Sequence, residues 1–204
     1  MKAYFKIIKY LQEILLVISI AIIIVLPTMI VFYPEIIRGD LTQKLYDISH
    51  IFIFFVMMIR PLADIFIRNK WIRPLVILRK GMGVLSASII VSFIIAKLMI
   101  DPMAYFNSIG TVGYWSFTNY AIFAHLADLT AIILIVTSNN LSKRLLGNLW
   151  KNVQKLSYIY FYGGSLYVYL SYKSINILFS LILVTLVTYL AFIMNKRRLA
   201  QNPV

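Results

Sequence analysis

A chain of 204 residues that is 61% hydrophobic and only 13% charged, with mean hydropathy +0.85, has more apolar surface than one water-soluble core can hide. It contains no cysteine, which excludes disulfides, thiolate metal sites and cysteine-held iron–sulfur clusters. Its net charge of +13 sits in segments that flank apolar runs, so it reads as membrane topology and no nucleic-acid partner is expected.

The order of elements predicts an all-α polytopic membrane protein, with lipid as the solvent for one domain over residues 1–204. Lys2, Lys6 and Lys9 precede a first helix over about 12–33. Its apolar run is longer than a signal-peptide core and ends in bulky Phe32-Tyr33-Pro34, so it is expected to remain as an uncleaved span with its N-terminus inside. Residues 35–49 are polar and turn-forming around Arg38, Gly39 and Asp40, and are expected outside. A second helix is predicted over 45–67, carrying His50 near its outer end. Arg60 and Asp64, at i and i+4 toward its inner end, share one face and can pair there as buried polar residues.

A basic inner loop (Arg68, Lys70, Arg73, Arg79, Lys80) leads into a third helix over 81–100, stopped by Asp101-Pro102. Residues 103–117 form an outer loop whose Tyr114 and Trp115 suit an interfacial belt. A fourth helix over 118–136 carries His125 and Asp128, spaced so that the carboxylate can accept the imidazole proton. The basic segment with Lys143, Arg144, Lys151 and Lys155 precedes a tyrosine-rich fifth helix over 153–172. The sixth, over 175–194, ends in Lys196-Arg197-Arg198. With this topology fifteen of the twenty basic residues fall on one side, which puts both termini in the cytoplasm of a bacterial inner membrane.

Two stretches carry a family likeness. Leu146, Gly147, Trp150, Leu156 and Tyr158 frame the start of the fifth helix, and Arg79-Lys80-Gly81-Met82-Gly83-Val84-Leu85 opens the third; Pro61-Leu62 closes the second. Over roughly residues 40–195 the chain resembles the ferric-reductase-like transmembrane family. In layout it is nearest the branch whose haem-binding membrane subunits feed electrons to a periplasmic methionine sulfoxide reductase. That resemblance implies a six-helix bundle, membrane electron transport of an oxidoreductase type, and a redox or assembly partner protein supplying what the chain lacks. It also implies haem b held by histidines at positions that here are Phe93, Gln154 and Tyr167. None of the three is a normal haem ligand, so no cofactor is expected at the family positions. His50 and His125, the two histidines of the chain, are the candidates for a displaced haem site.

Two further readings stay open: a non-catalytic subunit that binds a partner or assists assembly, and a carrier of protons or a small solute using Asp128 and Arg60. The tyrosines of the fifth helix and Gly163-Gly164 are expected to serve helix packing. No phosphate-loop, dinucleotide, zinc or serine-triad motif is present, so no catalytic residue is assigned.

Overall fold

The computed structural model describes residues 2–37, 39–117 and 120–201. Among them the chain is helical with no strand: α1 (Lys2–Phe32), α2 (Pro34–Ile37), α3 (Asp40–Ile65), α4 (Ile72–Leu75), α5 (Leu78–Ile100), α6 (Pro102–Ile109), a 3-10 turn (Val112–Trp115), α7 (Ala121–Thr137), α8 (Asn140–Leu146), α9 (Leu149–Gln154), α10 (Leu156–Tyr172) and α11 (Ile175–Gln201). Arg38, expected in the first outer turn, and Thr118, expected to open the fourth helix, lie outside the described residues.

Four segments are long and apolar enough to cross a membrane: Lys2–Phe32, Asp40–Ile65, Ile72–Ile100 and Ile175–Arg198. A fifth is added if α7 and α8, bent by 96° at their junction, form one broken span. These apolar helices make the chain a multi-pass membrane protein, because unpaired backbone is tolerated in lipid only when helices satisfy it internally.

Several boundaries differ from the sequence expectation. α1 starts ten residues early, since the lysines of its first turns are amphipathic enough to extend it. The outer segment 35–49 is not a loop: α2 and the start of α3 occupy most of it, and Gly39 at φ +75° makes the one turn between them. The outer loop 103–117 likewise contains α6, whose first turn is capped by the Asp101 carboxylate accepting from the Ala104 amide at 2.9 Å. The basic tail after residue 194 continues as helix, and Arg198 reaches α3. It donates from Nη1 to the Asp64 carbonyl (2.5 Å) and from Nη2 to the Ile65 carbonyl (3.0 Å), satisfying the exposed carbonyl end of that helix.

The bundle is built on α3 and α5. α5 packs against α1, α3 and α7, while α10 lies against α7, α3 and α11. Small residues make the close crossings possible. At Gly81 an added Cβ would stand 3.0 Å from Leu15 Cβ and 3.2 Å from the Gln12 carbonyl, so this glycine sets the α1–α5 approach. The buried core combines Ile53, Val56 and Met57 of α3 with Ala87, Ala127, Ala131, Phe161 and Val184. Outward-facing Val17, Ile20, Ile24, Phe179 and Phe192 remain exposed, as lipid-facing positions should.

Candidate functional site: two cavities about a buried tyrosine

The serines of α3 and α5 make an unusual crossing. Ser49 donates to the Ser86 carbonyl (3.0 Å), and Ser86 donates to the Ser49 carbonyl (2.9 Å). Each hydroxyl has one proton and both are spent in this reciprocal clasp. The Tyr160 hydroxyl is therefore a donor, its single proton directed to Ser86 Oγ at 2.9 Å with Ser49 Oγ beside it at 3.2 Å. All three side chains are buried. Helix α10 thus meets the α3–α5 pair through one phenol, fully satisfied in an apolar core.

Tyr160 and Ile53 are also walls of two separate cavities. The first, of about 610 Å³ and here called the outer cavity, lies toward the start of α3 and the end of α10. It is lined by His50, Lys97, His125, Asp128 and Tyr167. The second, of about 550 Å³, lies toward the basic end and is lined by Arg79, Lys143, Trp150 and Gln154 among others. The clasp of Ser49, Ser86 and Tyr160 stands between them.

His50 and His125, singled out as candidate ligands, do line one cavity, but they are held differently. His50 Nε2 is 3.1 Å from Ser180 Oγ, and that hydroxyl already donates to the Ile177 carbonyl at 2.7 Å. The imidazole must therefore donate from Nε2, leaving Nδ1 as its lone-pair nitrogen. Its ring stacks on Phe161 with centroids 5.7 Å apart. His125 is covered by the outer 3-10 turn: Tyr114 stacks on it at 3.5 Å and Trp115 meets it edge-on at 6.1 Å. Its Nδ1 is buried and has no hydrogen-bond partner among the described residues. The expected proton acceptance by Asp128 does not form. The i, i+3 spacing puts both groups on the cavity without bringing them into hydrogen-bond contact, and among the described residues Asp128 has no hydrogen bond or ion pair. Burial pushes the Tyr114 phenol up to about 12, and the neighbouring Tyr105 and Asp128 charges act in the same direction, so the lid over His125 stays neutral.

The three family haem positions lie in different surroundings. Phe93 offers no ligating atom and stacks on Tyr46 with centroids 4.8 Å apart, beside Leu26 and Ile89, where α1 and α3 meet α5. Gln154 lines the inner cavity and Tyr167 the outer one. A b-type haem needs two imidazole nitrogens facing one iron. His50 keeps its Nδ1 lone pair while Nε2 is bound to Ser180, and His125 is stacked beneath Tyr114; both line the one cavity. Among the described residues no group of three or more metal-ligating side chains comes together.

Arg60 and Asp64 do pair, Nε to Oδ2 at 3.1 Å, but not as a buried pair: the side chains are 58% and 28% exposed. The pair lies on the face of α3 turned away from buried Ile59, Pro61 and Ala63, and a surface pair of this kind contributes little to stability. The sequence reading missed the Ser49–Ser86–Tyr160 clasp. Three hydroxyls on three helices carry no local signal; the only trace is the density of serine in α5 at positions 86, 88 and 92. No protein-family model, no curated protein and no solved structure matches the chain.

Proposed function

We propose that this chain is a ferric-reductase-like bundle in a bacterial inner membrane, with six spans and both termini cytoplasmic, whose haem-free interior carries protons or a small protonatable solute. The observation that carries the proposal is the pair of cavities, each with ionisable side chains in its wall, that share Tyr160. The outer one gathers His50, His125 and Asp128, side chains that exchange protons and are costly to keep in lipid without a use. The clasped hydroxyls between the cavities can hand a proton on by reorienting, while closing the way to bulk water. Three features support the six-span arrangement: α10 packs among α3, α7 and α11, its 17 residues are just enough to cross, and the basic segments group at one end. The frames at residues 79–85 and 146–158 support the family reading.

Proteoliposomes with a trapped pH-sensitive dye test the function. An imposed potential should drive acidification that Asp128→Asn abolishes. Acidification no faster than in protein-free vesicles would overturn the carrier reading and leave a partner-binding or assembly subunit. Stoichiometric b-type bands in the dithionite-reduced protein would overturn the haem-free interior.

A further inference from the structure

The inner cavity has a chemistry of its own. Cations reach it from four segments: Arg60 from α3, Arg79 and Lys80 from α5, Lys143 from α8 and Lys151 from α9. Among the described residues no carboxylate lines it. Arg60 is the one of these cations with a carboxylate partner, since Arg60–Asp64 is the sole ion pair among the described residues. The neighbouring basic hollow around Arg68 and Arg73 differs, because Asp64 lines that one.

The polar groups divide unevenly. Arg79 donates from Nε to the Val56 carbonyl at 3.0 Å, which fixes the guanidinium; neither Nη group has a partner among the described residues. Gln154 Nε2 is buried and has no hydrogen-bond partner among the described residues. The hydroxyls of Ser138 and Ser157 are spent on the Leu134 and Gln154 carbonyls. What remains is a surplus of donors and positive charge over acceptors. A buried amide donor without an acceptor costs stability unless a ligand completes it.

We infer that the inner cavity is a binding site for a phosphorylated anion, either the phosphate headgroup of a membrane lipid or a soluble phosphate compound. Planar Arg79 and the point charges of Lys143 and Lys151 match the several oxygens of a phosphate group. The volume of about 550 Å³ exceeds what a bare phosphate fills, so the ligand has a body beyond its phosphate. General inner-rim positivity, which holds lipid loosely at any point, does not supply the concave wall or the unpartnered amide. The inference does not depend on the outer cavity's role, because it is tested by equilibrium binding and not by transport.

Trp150 is a built-in reporter: it lines the cavity, donates from Nε1 to the Thr137 carbonyl at 3.0 Å, and lies under Lys143 Nζ at 5.4 Å from its ring centroid. The full-length chain, with Trp71→Phe and Trp115→Phe, is placed in phosphatidylcholine nanodiscs and titrated with pyrophosphate. In a second arm, phosphatidic acid is added to the discs. A saturable change in Trp150 emission is expected in one arm, and the responding arm identifies the source. The exposed pair Lys143→Gln, Lys151→Gln should weaken binding by about tenfold or more. The triple variant Lys2→Gln, Lys6→Gln, Lys9→Gln, which removes more charge from the same side but none from the cavity, should bind as before. No response in either arm overturns the inference. Equal weakening by the triple variant also overturns it, by reducing the effect to diffuse rim charge.

Discussion

Gly163 of α10 faces the main chain of Phe123 on α7: a Cβ there would stand 3.0 Å from the Phe123 carbonyl oxygen. Gly164, its neighbour, would meet only Ala127 Cβ at an ordinary 3.8 Å. Gly163→Ala should therefore cost about 1–3 kcal/mol by forcing the two helices apart, and Gly164→Ala should be nearly silent. Thermal unfolding in detergent micelles would show it. Equal sensitivity at both positions would mean that α7 and α10 do not cross here.

How much of this was legible in the sequence depends on the range of the interaction. The apolar runs and their basic flanks gave four of the six expected spans as long apolar helices, because lipid acts on each segment separately. The i, i+4 spacing gave the Arg60–Asp64 pair, while its exposure depended on which face of α3 the bundle buries. His125 and Asp128 reach the same cavity, as their spacing implied, but whether they bond depends on rotamers set by Tyr114, eleven residues upstream in a segment expected to be a plain interfacial loop. Ser49, Ser86 and Tyr160 are separated by 37 and 74 residues, and no pattern within any one of those helices marks them as partners.

Tyr160→Phe removes the only donor to the serine pair without stranding it, since Ser49 and Ser86 still donate to each other's carbonyls. The stability loss should be close to a single hydrogen bond, about 1 kcal/mol. Proton movement in the vesicle assay should fall to the protein-free level. If Tyr160→Phe unfolds normally yet conducts as well as the parent, the two cavities communicate by another route.

The double variant Phe93→His, Tyr167→His should fold and stay colourless in haem-replete cells. Phe93 is stacked on Tyr46 against the α1 side of the bundle, so an imidazole there would not face one at residue 167. A reduced spectrum with b-type bands would show that the two positions do share a chamber.

Topology is checked by reporter fusions. A cytoplasm-dependent reporter joined after Arg198 should be active, and one inserted at Gly110, on the turn after α6, should report the opposite side. The reverse pattern would sink the six-span arrangement. Activity of both on one side would reduce the number of crossings and make α10 a re-entrant element.

The helix lengths within this bundle are unequal. At about 1.5 Å per residue, the 31 residues of α1 span about 46 Å and the 17 residues of α10 about 26 Å. On the six-span reading, the bilayer meets a tall flank at α1 and a short one at α7 and α10. A hydrocarbon core of about 30 Å is matched by the apolar run of α1 beyond Glu13, with the lysine-bearing first turns emerging from it, and must thin to match α10. The mismatch makes membrane thickness a variable for this protein: thicker lipid tails should strain the α7–α10 corner first, where Gly163 already leaves no slack.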